Sequence, residues 1–156
     1  MSRNEPESLR PSVLDRLRGR DGQGTYGSVR DYRRAVLRDV EWLLNHRRTI
    51  ELAPESCPET RRSVYHYGIP DLTAFNAESG HALGRVRQMV EESIRIFEPR
   101  LESVKVRLAE GGEGKGPHGA RFVIEGLLRM DPQPELVRFD TVLESAGGGF
   151  TVDPDA

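Results

Sequence analysis

Carboxylates are the first residues in this chain whose type could do chemistry. Glu41 or Glu98 acting with Asp140 would supply the acid and base that glycoside hydrolysis needs. Such a pair functions only when both groups flank one bond, and spacing along a chain says nothing of separation in space. Acidic residues number 25 in 156, so surface or ion-paired carboxylates are the expected state for most of them.

The other chemical motifs fail on spacing. The glycine-rich stretch 110–119 carries Lys115, but Gly116 stands where a phosphate loop needs Ser or Thr, and a strand pattern follows where a helix should begin. His46, His66, His81 and His118 show no paired ligand spacing and no cysteine pair accompanies them. Cys57 is the only cysteine, which excludes an internal disulfide framework. Neither it nor Ser63 or Ser93 lies in a nucleophile signature. The expectation is a chain without catalytic residues, metal or cofactor.

Glu98 stands out for a different reason. Leu83, Val86, Val90, Ile94 and Phe97 recur at helical spacing, and Pro99 disfavours helix at the residue before it. The helix should therefore stop near Phe97 or Glu98, which puts a negative charge beside carbonyls that already form the negative pole of the helix. Glu98 needs a cation. Arg100 is the local candidate, and its forked donors could equally reach across an interface.

The elements that position this corner can be read in order. Residues 1–28 form a polar arm expected to be flexible, with a short docking helix near 12–17 in PSVLDRL. Ser28 with Asp31 opens a helix expected to reach about Arg48, with Val29, Tyr32, Val36, Leu37, Val40, Leu43 and Leu44 in one stripe. Residues 49–79 are irregular, and in SVYHYGIPDL the side chains of Tyr65, Tyr67 and Ile69 should bury around a turn set by Gly68 and Pro70. Ser79 restarts a helix that leads to Glu98. Strands follow at 103–108, with Val104, Val106 and Leu108 inward, and through ARFVIEGLL, with Phe122, Ile124 and Leu128 inward. A third carries Val137, Phe139, Thr141 and Leu143, and a return at 147–149 leads to Phe150 and Val152.

Helices before a run of antiparallel strands indicate an α+β fold of two layers, with a mainly antiparallel sheet and helices on one face. One domain, 29–152, is expected, with residues 153–156 as a tail. A chain 36% apolar and 31% charged, with mean hydropathy −0.59 and no apolar run beyond three residues, reads as soluble, with no direct membrane insertion. The N-terminus lacks a signal-peptide core, so a cytoplasmic location is expected. A net charge of −2 offers no global field for nucleic acid. A small sheet has edges, and an open edge can accept a partner's strand unless residues such as Arg138 and Glu144 protect it.

Three blocks carry a resemblance. RDVEWLLNHRR at 38–48, SVYHYGIPDL at 63–72 and IFEPRL at 96–101 resemble the TssE family, the baseplate subunits of type VI secretion systems within the phage wedge, lysozyme-like group. PSVLDRL and VRFDTVLESAGGGFTV at 137–152 fit the same pattern, with departures at Val40, Ile69, His46 and His66. The resemblance implies a structural protein that links the wedge to the contractile sheath and templates sheath polymerisation. Its implied partners are the wedge subunits TssF, TssG and TssK and the sheath subunits TssB and TssC. The implied interfaces are the Glu98, Pro99 and Arg100 signature, towards the wedge, and the strands bearing Phe139, Thr141, Phe150 and Val152, towards the sheath. Exchanging Glu98 and Arg100 should then block assembly and leave the fold intact. The alternatives are a peptidoglycan hydrolase or a wedge subunit of a phage-tail-like particle.

Overall fold

A computed structural model describes residues 28–49, 51–72, 80–109, 119–130, 133–144 and 148–153. The expected docking helix near 12–17, the arm to residue 27, the helix start at Ser79, the loop 110–118 and the tail 154–156 lie outside the described residues.

Helix α1 spans Val29–Asn45, and the Ser28 hydroxyl accepts the Asp31 N–H at 3.2 Å, satisfying one donor that a helix start leaves free. The expected stripe is buried from Tyr32 to Leu44, joined by Ala35, while Val29 at its start is 40% exposed. The helix stops three residues short of Arg48 because tertiary pairing takes the next residues. His46 turns to extended geometry, its C=O accepts the Ile69 N–H at 3.0 Å, and the Arg48 N–H donates to Ile69 C=O at 2.8 Å. These bonds form a parallel bridge between Arg47 and Ile69.

The stretch expected to be irregular contains a short helix α2, Pro58–Arg61, and a turn of 3-10 helix, Val64–His66. This turn breaks the alternation that sequence suggested. Tyr65 faces outward, 44% exposed, while His66 is buried. Tyr67 packs edge-on against Phe97 and His46, and Ile69 is buried as expected.

His66 holds this stretch through one bond, its Nε2 accepting the Ala53 N–H at 2.9 Å. Burial first, then the charges of Arg48 and Arg61, push its pKa below the usual 6.5. As pH falls, the unfolded chain takes up this proton before the folded one. The contribution of His66 is thus fully present above the unfolded value and is lost as pH drops through the lower, folded one. Urea denaturation at about pH 7.5 and about pH 5.5 should show the protein weaker in acid, and His66→Gln should flatten the difference. Equal acid losses in the two proteins would assign the effect to other groups.

Helix α3, Gly80–Phe97, buries Leu83, Val86, Val90 and Ile94 and ends where Pro99 requires. Four strands follow as a meander, β1 Leu101–Leu108, β2 Ala120–Leu128, β3 Glu135–Leu143 and β4 Phe150–Asp153, all antiparallel and adjacent in chain order. Strand β1 begins two residues before Ser103, and its register on β2 shifts between Glu102 and Lys105. Ser103, at φ +52° in the region that favours glycine, sits inside this bulge. Leu108, expected inward, is 36% exposed at the strand's far end.

One sheet face carries Val104, Val106, Phe122, Ile124, Val137, Phe139, Leu143, Phe150 and Val152 into one core with α1 and α3. The other face bears ion pairs, Arg107 to Glu125 and Arg121 to Asp140, each at 3.6 Å. Pairs this exposed contribute under about 1 kcal/mol, whereas each large inward side chain contributes roughly 1.5–3 kcal/mol. The inner face therefore sets the register. The fold is α+β, two layers, with the helices on one face of an antiparallel sheet.

Candidate functional site

At the end of α3 the Glu98 N–H still bonds Ile94 C=O at 2.8 Å, and the Leu101 N–H closes a turn on Glu98 C=O at 3.1 Å. That turn folds the Glu98 side chain inward, leaving the residue only 4% exposed. Glu98 Oε1 accepts from the Arg100 N–H at 3.2 Å and from Arg100 Nε at 2.6 Å, and Oε2 accepts from Arg100 Nη2. The charge at the wrong helix end is met by its own neighbour.

The same guanidinium then reaches α1. Arg100 Nη2 donates to Asp39 Oδ2 at 2.6 Å, and Asp39 Oδ1 accepts from Arg38 Nη2 at 2.9 Å. Arg38 in turn lies over the Trp42 ring, 5.0 Å from its centroid. Two carboxylates and two guanidiniums thus form a neutral chain from the corner to the surface of α1. Burial works against the charge on Arg100, but the bonds and charge of Glu98, then of Asp39, outweigh it and hold the group more firmly protonated than a free guanidinium. Tyr32 and Tyr67 flank the cluster, and burial raises both phenol pKa values.

The three sequence blocks meet here. Asp39 comes from the first, and Glu98 and Arg100 come from the third. The second supplies Tyr67 against Phe97, Ile69 to the backbone after α1, and Gly68, whose C=O accepts the Ser93 hydroxyl of α3 at 2.9 Å.

A family model described as Baseplate wedge protein gp25 matches residues 30–133, well over half of the chain. The chain belongs to the baseplate wedge gp25 family. No curated protein matches it. As a gp25-like wedge protein it is a structural component of a contractile, tail-like machine. No described helix is long and apolar enough to cross a membrane.

Within this gp25-like protein the seven residues singled out from sequence fall into two groups. Glu98 and Arg100 are turned into the junction, and Pro99 is the exposed residue of the corner, lining an open groove of about 610 Å³ beside the bulge in β1. Phe139 and Thr141 belong to β3, which pairs with β2 along its whole length and with β4 from Asp140 to Leu143. Their side chains face the core, as do those of Phe150 and Val152, so what this group can offer a partner is the backbone edge of β4. Arg138 lies on the part of β3, before Asp140, that β4 does not reach, so among the described residues it borders an open stretch of edge. The exchange of Glu98 and Arg100, expected to spare the fold, would set a new carboxylate against Asp39 inside the junction and must weaken it. The hydrolase pairing has no support in this geometry, because Glu98 is spent on Arg100 and Glu41 belongs to α1 on the core side of the sheet, while Asp140 sits on the charged opposite face beside Arg121 and Arg138.

Sequence reading missed Asp39, Asn45, Arg87 and Glu91. Asp39 did leave a trace, since Tyr32, Val36, Asp39 and Leu43 recur at helical spacing and place an acid on the apolar ladder. The other three bond strand edges that no local pattern identifies.

Proposed function

We propose that this gp25-family protein serves in a type VI secretion baseplate, where it links the wedge, built of TssF, TssG and TssK, to the first ring of sheath subunits TssB and TssC and templates their polymerisation in the cytoplasm. The observation that carries the reading is that the three blocks resembling TssE pack together, the first and third sharing the ionic junction and the second buttressing the ends of α1 and α3 beside it. In this reading Glu98 and Arg100 shape the corner from within, and Pro99, its exposed member, meets the wedge. The sheath is met by the sheet's edge.

Copurification of the tagged protein from its own cells is the test. Wild type should bring down wedge and sheath subunits, and Pro99→Arg should lose the wedge while melting at the wild-type temperature. Recovery of phage-tail proteins instead would transfer the role to another contractile particle. A wild-type protein recovered alone under gentle lysis would sink the reading.

A further inference from the structure

Antiparallel pairing leaves alternate residues of an edge strand with both backbone groups pointing away from the sheet. In β4 the Glu144 N–H bonds Gly149 C=O, so the outward residues are Phe150 and Val152. At Phe150 the outward groups are already taken. Asn45, in the last turn of α1, accepts the Phe150 N–H through Oδ1 at 2.9 Å and donates from Nδ2 to Phe150 C=O at 2.8 Å. A primary carboxamide presents one donor and one acceptor in a plane, as a peptide group does. Asn45 therefore fills the place that a residue of a fifth strand would fill.

The opposite edge is closed differently. On β1 the outward groups of Val106 meet α3, its N–H donating to Glu91 Oε2 at 3.1 Å and its C=O accepting from Arg87 Nη1 at 3.4 Å. Glu91 is itself fixed by Arg95 at 2.8 Å and Arg87 at 3.5 Å. Charge-assisted bonds are roughly twice as strong as neutral ones, and a peptide group arriving at Val106 would have to strip a carboxylate from its donor. At Phe150 an arriving peptide group exchanges one neutral amide for another. The released Asn45 Nδ2 keeps its bond to Glu41 C=O at 2.9 Å.

We propose that β4 is the edge that receives an extended segment of a sheath subunit, and that Asn45 is a placeholder which this segment displaces as it pairs with Phe150 and Val152. The inference rests on the sheath-linking reading above and adds the edge, the register and the residue that gives way.

Binding of the purified sheath subunit pair from the same genome to the full chain tests it. Asn45→Ala removes the competitor for Phe150 and should tighten binding about tenfold, and it should speed amide exchange at Phe150. Val152→Pro removes an outward N–H that no bond among the described residues uses, and should weaken binding at least about tenfold. Glu91→Gln, which alters the cover that α3 gives β1, should leave binding unchanged. Melting curves establish that each variant is folded, and should Asn45→Ala fail to fold, the Val152→Pro and Glu91→Gln pair still discriminates between the edges. Sheath binding that Val152→Pro leaves unaltered, or that responds to Glu91→Gln instead, overturns the assignment to β4 and leaves the sheath-linking reading standing. Wild-type protein that does not bind the sheath pair overturns both.

Discussion

Arg100→Ala should melt about 6–12 °C below wild type, corresponding to a loss of about 3 kcal/mol. Removing the guanidinium leaves Glu98, 4% exposed, without its bidentate partner and leaves Asp39 with Arg38 alone. Breaking a buried ion pair from one side costs about 3–5 kcal/mol because the remaining charge is stranded. The lower end applies here. Arg38 still serves Asp39, and Arg100 Nη1 is buried without a hydrogen-bond partner among the described residues, so the cluster is not ideally satisfied to begin with. Arg100→Lys should recover less than half of the loss, because one ammonium cannot hold both Glu98 oxygens and reach Asp39. Thermal denaturation decides the matter, and a melting point within about a degree of wild type would show that the ionic chain does not hold the junction.

Gly68→Ala should cost about 3–4 kcal/mol in urea denaturation. Gly68 has φ +101°, and a Cβ there would lie 2.2 Å from His46 O and 2.8 Å from His46 C. Both are backbone atoms of the bridge that ends α1, so relief requires the bridge to open. Opening it forfeits the Ile69 to His46 bond at 3.0 Å and loosens the Ser93 hydroxyl at Gly68 C=O. Backbone strain contributes roughly 1–3 kcal/mol and each lost bond about 1 kcal/mol. Gly84 is the contrast. It lies inside α3 with no atom of a neighbouring element within 4 Å of its Cβ position among the described residues, so Gly84→Ala should stabilise by about 0.5–1 kcal/mol. Two Gly→Ala changes of the same sign would contradict this account of the turn.

Much of the architecture was legible because it follows from local periodicity. The stripe from Tyr32 to Leu44, the stop at Pro99 and the alternation in β2 and β3 each state which face is apolar, and the sheet order follows from short returns. What was not legible depends on partners far away in sequence. The end of α1 moved to Asn45 because Ile69 captured His46 and Arg48, and Tyr65 turned outward because residues 64–66 wind into a 3-10 turn. The bulge at Ser103 lets two residues of β1 face Gly126 alone. At the corner, sequence chemistry correctly asked for a cation beside Glu98 and left open whether it came from within; the fold supplies Arg100, and then Asp39 from 61 residues away.

The bond between Asn45 and Phe150 spans 105 residues. On a ribosome adding about 5–20 residues per second, α1 is made roughly 5–20 s before the strand that its last turn must hold. For most of that interval, until β1 to β3 have been made, the apolar stripe of α1 has no sheet beneath it, and the nascent chain depends on α3 once it is made, or on chaperones, to keep it covered. Closure of this contact marks the moment at which the first helix and the last strand are committed to one another, so translation speed across 46–150 sets how long the chain stays vulnerable.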